Sequence, residues 1–409
     1  MTRRIGYMIP EFPGQTHIWM WREISWMKRW GVPLRLYSTR RPPTRDRARH
    51  AWADEAERDT FYLWPRRPAS LLSDLLWALL TRPRGLFHCL RLTFTLPVET
   101  GGKRKRPRLW QLIPSACTLA RDVRRQDVRH LHAHTCSNAA VLCMFVKQLV
   151  AVPFSMTLNA NINWWGGAMH EKFHDAEFTI AITRWLLDEM RRDFPALRED
   201  QRLLGRIGVD TDKWTPVERP PRDPSAPLNV FTLGRLHASK GHAHLLRAIA
   251  LLRDRGIDCT LRIAGDGPER GNIETLVREL NLSDRVSLLG SLSEDRCIEE
   301  MRRSDVFVLA SDAEPLGVVY MEAMSTGVAT VGTSAGGVGE IIEHGIDGWL
   351  VPPRNPPALA DALQRLASDE ALRQRLGARG RETVVKKFDA RLGAATLYQR
   401  LFRHPPPAP

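Results

Sequence analysis

The sequence predicts an α/β protein made of two doubly wound domains, and three observations support this prediction. The chain is 409 residues long, which suits two or three domains. Strand patterns alternate with helix patterns in both halves, as they do in parallel sheets. A polar, proline-rich segment at residues 219–227 lies between the two series and is typical of a linker.

The amino-terminal series opens with a strand at residues 5–10, a loop at 11–17 and a helix. Apolar side chains recur in this helix at helical spacing, at Ile18, Trp21, Ile24 and Met27. Further strands are predicted at residues 34–38, 128–134, 154–158 and 178–182. The order strand, loop, helix, strand is that of a βαβ unit, so the sheet is expected to be parallel.

The composition excludes several classes of protein. With 43% hydrophobic and 26% charged residues, the chain is not wholly disordered. The six cysteines form no C-x-x-C pair, and no cluster has metal-ligand spacing, so we expect reduced thiols. No run of about 18 uncharged apolar residues is present, and the first residues lack the apolar core of a signal peptide. The expected location is the cytoplasm.

The net charge of +14 is concentrated in one half of the chain. Residues 1–150 hold 27 Lys and Arg against 11 Asp and Glu. Within them, a leucine-rich helical stripe at residues 71–80 is flanked by arginines, and a basic run follows at 103–106. This combination predicts peripheral attachment to anionic lipid at the inner face of the cell membrane. The alternative interpretation is helices packed on the sheet beside a solvated basic loop. No nucleic-acid-binding motif accompanies the charge, so nucleic acid is not an expected partner.

The carboxyl-terminal series is a regular strand–helix alternation. Strands are predicted at residues 229–234, 260–264, 286–289, 306–310, 329–332 and 349–351. Helices are predicted at residues 242–255, 268–280, 294–302, 315–326, 337–343, 356–367 and 369–387. Six strands with intervening helices make a doubly wound parallel sheet.

Residues 311–322 are the most informative segment of this series. They follow the strand at 306–310, so they lie at the strand's carboxyl end, where open α/β sheets bind ligands. Pro315 suits the first turn of a helix, whose free N–H groups would face a phosphate. Glu314 lies just ahead of this helix and Glu322 lies two turns along it. The two carboxylates can therefore contact the sugar and the ribose of one nucleotide-sugar.

Two further loops follow strands of the same sheet. Residues 234–241 contain Arg235 and Lys240, two cations suited to a pyrophosphate. Residues 264–271 resemble a dinucleotide-binding fingerprint, but their glycine spacing is one residue too long and they follow the second strand. We interpret them as a tight turn in which Pro268 starts a helix.

These motifs together resemble the retaining glycosyltransferases of family 4. The matching segments are residues 208–214, 234–241, 264–268, 314–322 and 336–341, and more loosely 12–17 and 132–134. The resemblance implies the GT-B fold, in which two Rossmann-like domains face a cleft. It implies a domain at 1–205, a nucleotide-sugar-binding domain at 206–387, and a helix at about 388–404 that completes the first domain.

The resemblance also implies the roles of individual residues. Arg235 and Lys240 would bind the donor pyrophosphate, Glu314 would contact the transferred sugar, and Glu322 would hold the ribose. The remaining donor contacts implied are Gly14, Gln15, Asn159, Leu316, Gly317, Val318 and Val319. The family needs no catalytic metal, so no cofactor is expected beside the nucleotide-diphosphate sugar.

One departure from the family lies at Asn159. Relatives carry Thr-x-His where this chain has Thr157-Leu158-Asn159, and asparagine can hydrogen-bond but cannot take a proton. An altered donor preference, a weakened enzyme and a non-catalytic homologue are all consistent with this change. His17 and His134 are further candidates for contact with sugar or acceptor.

The predicted function is retaining transfer of a sugar from a nucleotide-diphosphate sugar to a lipid-linked or growing glycan, as in envelope or exopolysaccharide biosynthesis. Two alternatives remain open. The chain could be a sugar-nucleotide-binding homologue that partners another transferase, or a sugar-nucleotide epimerase or a phosphorylase of the same fold.

Overall fold

The computed structural model describes residues 3–97, 109–218, 223 and 226–407. The chain divides into two compact units. The first comprises Met1–Ala48, Trp52–Arg206 and Ala394–Pro409, and the second comprises Arg49–Ala51 and Ile207–Gly393. The basic run at 103–106 and most of the linker at 219–227 lie outside the described residues.

The amino-terminal unit contains a parallel sheet of seven strands. The strands are β1 (Arg4–Ile9), β2 (Leu34–Arg40), β3 (Thr60–Trp64), β4 (Val128–Ala133), β5 (Phe154–Leu158), β6 (Thr179–Ala181) and β7 (Arg202–Leu204), in the spatial order β3-β2-β1-β4-β5-β6-β7. The helices are α1 (Ile18–Arg29), α2 (Ala53–Asp59), α3 (Pro68–Thr81), α4 (Pro83–Thr95), α5 (Ile113–Arg125), α6 (Asn138–Val150), α7 (Met169–Asp175) and α8 (Arg184–Asp193). Neighbouring strands are parallel throughout.

The sequence analysis misses β3 and β7, which are the two edge strands of this sheet. An edge strand pairs on one side only and needs no long apolar run, so its sequence signal is weak. Five of the seven strands are predicted within a few residues of their observed bounds.

Helix α3 turns its leucine stripe away from the body of this unit. Leu80 is 79% exposed, and Leu72, Leu76 and Leu79 are also exposed. The buried face carries Asp74, which accepts hydrogen bonds from the Thr118 hydroxyl (2.8 Å) and from Arg121 Nη1 (2.7 Å) of α5. The leucine stripe therefore does not pack on the sheet, whereas the solvated basic loop of the alternative interpretation lies outside the described residues. The polar face holds the helix in place and leaves the leucines uncovered.

Replacing Asp74 with alanine is expected to lower the free energy of unfolding by about 2–4 kcal/mol, because the partners of a buried carboxylate would lose their acceptor. Urea denaturation with the isolated protein measures this change. Asp54→Ala, on the exposed face of α2, is the control and should stay within about 0.5 kcal/mol of the parent. An equally small effect of both substitutions would contradict the assigned anchoring role of Asp74.

The carboxyl-terminal unit contains a parallel sheet of six strands. The strands are β8 (Leu228–Leu233), β9 (Cys259–Ala264), β10 (Val286–Gly290), β11 (Val306–Val308), β12 (Ala329–Thr333) and β13 (Trp349–Val351), in the order β10-β9-β8-β11-β12-β13. The helices are α9 (His242–Asp254), α10 (Arg270–Glu279), α11 (Glu294–Arg302), α12 (Val318–Ser325), α13 (Pro356–Ser368) and α14 (Glu370–Lys387). Counted within the unit, this is the order 3-2-1-4-5-6 of the Rossmann fold.

A last helix, α15 (Ala390–Phe402), follows α14. Its residues from Ala394 onward group with the amino-terminal unit. There Tyr398 meets the ring of Trp30, the residue that follows α1, edge-on, with ring centroids 5.5 Å apart. Among the described helices, none is long and apolar enough to span a membrane.

Three predicted helices of the second unit are wrong in detail. Helix α12 begins at Val318 instead of Pro315, because Gly317 has φ +87° and such a left-handed residue ends a helix. Helix α10 begins at Arg270, so Pro268 lies in the preceding turn. The helix predicted at 337–343 is a single 3₁₀ segment, Gly336–Glu340, because its three glycines disfavour an α-helix.

Candidate functional site

The loops after β8 and β11 meet at the carboxyl edge of the second sheet. Gly241 permits this close approach, because a Cβ atom there would lie 1.8 Å from the carbonyl oxygen of Ala310. Next to this contact, the Asp312 N–H donates to the carbonyl of Ser239 at 2.8 Å. Since ligands of open α/β sheets bind at this edge, the two loops form the candidate donor site of this unit.

The central feature of this site is an ion pair between Lys240 and Glu314. The Lys240 ammonium donates to Glu314 Oε2, and the Ser311 hydroxyl lies 3.4 Å from the same oxygen. The backbone carbonyl of Glu314 also accepts a hydrogen bond from the Gly337 N–H at 2.9 Å. Glu314 is buried and held by both its side chain and its backbone, so its carboxylate occupies a defined place at the sheet edge.

The amino terminus of α12 lies four positions after Glu314, at Val318. Val318 and Val319 are the first helical residues, and the first N–H groups of a helix have no partner within it. Leu316 and Gly317 precede the helix, and the Leu316 side chain is buried. Of the residues whose backbone N–H groups are predicted to face a phosphate, only Val318 and Val319 therefore lie on the helix itself.

Glu322 and Arg235 differ in their environment. Glu322 is buried on α12, and its charge adds to the burial that raises the pKa of the Cys297 thiol on α11. Arg235 is exposed, and its guanidinium makes no ion pair with another described residue. Arg235 is therefore available to an anion, whereas Lys240 is already held by Glu314.

A second candidate site lies at the carboxyl edge of the amino-terminal sheet, in the loop after β1. The Gly14 N–H donates to His17 Nδ1 at 3.1 Å, and the Gln15 N–H donates to the Asp46 carbonyl at 2.9 Å. Burial lowers the pKa of His17 to about 4, so the imidazole is neutral at physiological pH. This loop is held closely by its own hydrogen bonds.

His134 and Asn159 follow the neighbouring strands β4 and β5 at the same edge. The ring nitrogens of His134 and Asn159 Oδ1 are buried and make no hydrogen bond with the described residues. Burial lowers the pKa of His134 to about 3. Buried polar atoms in folded proteins usually have a partner, which here would be a water molecule, an ion or a ligand.

Glu23 of α1 lies beside His134, with its Oε1 3.3 Å from His134 Nε2. Together with His132, these residues bring one potential metal-ligand atom each within 4.8 Å of one another. However, the His132 ring nitrogens lie 2.8 Å from the Ser155 hydroxyl and 2.9 Å from the Thr157 hydroxyl. His132 therefore offers no uncommitted nitrogen, and the expectation that no metal is needed stays a prediction.

A large pocket opens along the same sheet edge in the amino-terminal unit. Its volume is about 1580 Å³, and it is lined by the last residues of β2 and β3 and by residues that follow β1, β4 and β5. Three of its tryptophans, Trp64, Trp110 and Trp164, are exposed, and Trp164 is the most exposed at 76%. Polar side chains, including Asn138 and Gln111, also line the pocket. Such a surface offers both flat apolar faces and hydrogen-bonding groups to a ligand.

The sequence analysis missed Glu23, Trp64 and Trp110 as candidate site residues. No periodic pattern in the sequence distinguishes Glu23 from the other charged residues of α1. Trp64 ends a strand that was not predicted, and Trp110 follows the basic run. Trp164 lies directly after Asn163 in a loop between predicted elements, and this position was its only signal.

The two units define the class of this protein. Two parallel-sheet, Rossmann-like domains make up the GT-B fold, and the structure of Anabaena Alr3699/HepE, solved in complex with UDP and glucose, matches with a TM-score of 0.72. That match covers 98% of this chain and 99% of the other at 17% identity. Residues 218–383 match the model of the family described as glycosyl transferases group 1. The expected fold class is confirmed, and residues 218–383 are similar to this family of glycosyltransferases.

Curated relatives support the same family. The alpha-D-kanosaminyltransferase of Streptomyces kanamyceticus is 36% identical over 220 residues, which is 52% of this chain and 57% of that protein. The amylovoran biosynthesis glycosyltransferase AmsK of Erwinia amylovora is 28% identical over 228 residues, 49% of this chain and 55% of AmsK. The chain thus spans little more than half the length of these relatives.

Proposed function

We propose that this protein is a retaining hexosyltransferase that moves a sugar from a nucleotide-diphosphate sugar to a lipid-linked or growing glycan. The observation that carries the proposal is the Lys240–Glu314 ion pair at the carboxyl edge of the second sheet, beside the amino terminus of α12. Cation, carboxylate and free N–H groups are the three kinds of contact that a sugar diphosphate requires.

On the donor side, the Lys240 ammonium would leave Glu314 and bind the diphosphate, because the diphosphate carries more negative charge than one carboxylate. Arg235 would also bind the diphosphate from the exposed surface of its loop. Val318 and Val319 would donate hydrogen bonds from their N–H groups to the phosphate oxygens. Glu314 would then accept hydrogen bonds from sugar hydroxyls, and Glu322 from the ribose. As the glycosidic bond breaks, negative charge grows on the leaving phosphate, where these cations stabilise it.

Retention would follow from attack on the face of the sugar that the diphosphate leaves. The acceptor hydroxyl oxygen forms the new bond to the anomeric carbon, and its proton passes to the departing phosphate oxygen. This route needs neither a covalent enzyme intermediate nor a bound metal. It agrees with a site whose charged groups surround the leaving group.

On the acceptor side, the proposal assigns the glycan to the pocket of the amino-terminal unit. Sugar rings stack with their C–H faces on exposed tryptophans such as Trp64, Trp110 and Trp164, and hydroxyls pair with the polar groups of the same pocket. The printed function of AmsK, amylovoran biosynthesis, favours an exopolysaccharide acceptor.

The proposal also places the protein at the inner face of the cell membrane. Helices α3 and α4 leave two apolar stripes uncovered, with Leu80 and Phe94 the most exposed residues. Arginines border these stripes, and residues 1–150 carry the chain's whole basic excess. Exposed apolar stripes rimmed by arginines suit the interface of an anionic bilayer.

Asn159 favours a second candidate function, a homologue that binds sugar nucleotides without turnover. The amide would keep a hydrogen bond to the sugar but would remove the imidazole found in relatives. In such a homologue, the Lys240–Glu314 pair would bind the sugar nucleotide and would take no part in catalysis.

Assays with a panel of UDP-, GDP-, ADP- and dTDP-sugars distinguish the transferase from the binding homologue. For the transferase, one donor is expected to raise the melting temperature and to release its nucleoside diphosphate, and Glu314→Ala should abolish this release. Arg255→Ala, at a surface ion pair of the same unit, is the matched control and should retain release. Thermal stabilisation by a donor without release, across several glycan acceptors, would support the binding homologue and refute the transferase.

A further inference from the structure

Lys172 is a buried lysine in the wall of the amino-terminal pocket. It lies on α7, is 1% exposed and is among the residues that line the pocket. We propose that Lys172 is a positioning residue whose ammonium holds the loop at residues 162–168, so that the Trp164 ring keeps the orientation in which it stacks on an acceptor sugar. This inference rests on the proposed transferase function and assigns a residue to its acceptor pocket.

The Lys172 ammonium binds this loop through the loop's backbone. Nζ donates to the carbonyl of Trp165 at 3.0 Å and to the carbonyl of Gly167 at 2.9 Å. Met169 Sδ lies 3.9 Å from Nζ. An ammonium has three N–H donors, so two carbonyls and one thioether account for all of them. Since both carbonyls belong to the segment that directly follows Trp164, these contacts fix the backbone beside its ring.

The backbone of this loop needs such support. Gly166, Gly167 and Ala168 have left-handed φ angles of +75°, +81° and +52°. Glycine adopts this conformation at no steric cost, whereas the Cβ atom of Ala168 makes it unfavourable there. The Lys172 N–H donates to the Ala168 carbonyl at 3.0 Å, and the Ala168 N–H donates to the Pro97 carbonyl at 2.9 Å. Lys172 therefore holds the unfavourable residue through its backbone and the residue before it through its side chain.

The charge of Lys172 is not explained by an ion pair or by packing. Its ammonium makes no ion pair with another described residue, and lysines are almost never fully buried unless they are paired. Burial lowers the pKa of Lys172 to about 8, so at pH 7 most molecules still carry the ammonium. A methionine would fill a similar volume without the cost of burying a charge. The hydrogen bonds to the loop are what the ammonium supplies and a methionine cannot.

Trp164 is the part of the loop that an acceptor can reach. It is 76% exposed and lines the pocket. The next ring is tied down, because Trp165 Nε1 donates to the Ala160 carbonyl at 3.2 Å. An exposed ring on an unsupported backbone would sample several orientations, and a ligand would have to restrict them on binding. The Lys172 contacts restrict the backbone before the acceptor binds.

Steady-state transfer measures the consequence. The donor is the one identified by the panel, and oligosaccharides from partially hydrolysed amylovoran are the first acceptor tested. Lys172→Met keeps the length of the side chain but cannot donate. It is expected to raise the KM for the acceptor about tenfold, the loss expected when one aromatic contact is no longer held in place. The KM for the donor should stay within about twofold of the parent value, and kcat within about threefold.

Lys147→Met is the matched control, because Lys147 binds the other end of α7. Its Nζ donates to the carbonyl and to Oδ1 of Asp175, both at 2.7 Å. This substitution should leave the KM for the acceptor within about twofold of the parent value. An equal rise in both variants, or no rise in Lys172→Met, would overturn the inference.

A double-mutant cycle separates positioning from a general structural effect. Trp164→Ala alone should raise the KM for the acceptor about tenfold. Adding Lys172→Met should raise it by less than about twofold more, because Lys172 acts through the Trp164 ring. Independent effects, which would multiply to about a hundredfold, would contradict this. Because Trp164 is exposed, Trp164→Ala should fold even if Lys172→Met does not, and an unchanged acceptor KM in Trp164→Ala would also overturn the inference.

Fluorine-19 NMR of protein labelled with 5-fluorotryptophan tests the loop without requiring activity. The Trp164 resonance, assigned by its loss in Trp164→Phe, should shift or broaden in Lys172→Met and stay unchanged in Lys147→Met. An unchanged resonance in Lys172→Met would refute the inference. If the parent protein transfers sugar to no acceptor, the proposed function fails. A resonance that changes only in Lys172→Met would then still support the coupling between Lys172 and the loop.

Discussion

Replacing Lys240 with alanine is expected to lower kcat about 10²–10³-fold, the effect typical of removing one group that stabilises charge on a leaving group. Lys240 lies at the sheet edge beside Glu314 and the start of α12, where the departing diphosphate would bind. The effect should be larger on kcat than on the KM for the donor, because the charge develops in the transition state. Steady-state release of nucleoside diphosphate, measured with the donor identified by the panel, gives both constants.

The matched control for this prediction is Arg255→Ala. Arg255 also pairs with a carboxylate, Asp361, on the surface of the same unit, so both substitutions remove one cation from one ion pair. Arg255→Ala should leave kcat unchanged within a factor of about two. A kcat in Lys240→Ala that matches this control would contradict the role of Lys240 at the leaving group. A melting-temperature scan of both variants separates lost chemistry from lost folding.

Replacing Leu80 and Phe94 together with aspartate is expected to lower binding to anionic vesicles at least tenfold. Each side chain would bury its apolar surface in the lipid interface, and burying a Leu or Phe contributes about 1.5–3 kcal/mol. The aspartates add repulsion from anionic headgroups. Because both side chains project into solvent, the substitutions should not unfold the protein. Flotation with vesicles containing about 30% anionic lipid, at low and high salt, measures the change.

Val385→Asp is the control for this experiment, since Val385 is an exposed apolar residue of α14 in the other unit. It should float with the vesicles as the parent protein does. Equal recovery of the parent and the Leu80/Phe94 variant would contradict membrane attachment through α3 and α4. Binding that is lost on vesicles without anionic lipid would show that the basic residues act together with the stripes.

The candidate donor site was largely predictable because its residues follow strands of one parallel sheet. Glu314 and Glu322 lie on the two sides of one helix start, and Lys240 follows a strand of the same sheet. Parallel strands bring such loops to one edge, so the motif spacing alone places them together. The exact start of α12 was not predictable, because it depends on the left-handed backbone at Gly317.

The leucine stripe of α3 shows where local pattern reasoning failed. Its periodicity predicts an amphipathic helix correctly but cannot say which face is covered. The buried hydrogen bonds of Asp74 to Thr118 and Arg121 decide this, and those partners lie more than 40 residues away. A helix that buries its polar face and exposes its leucines has the same sequence period as a helix that buries its leucines.

The sequence by itself determined the two α/β units, the parallel arrangement of their strands, and the resemblance of the carboxyl-terminal motifs to a glycosyltransferase family. These features rest on short-range patterns of apolar residues, glycines and charges. Only the tertiary structure decided that Glu23 lies beside His134, 111 positions further along the chain. Such contacts depend on how helices pack on a sheet, and packing joins residues whose separation in the chain leaves no periodic trace.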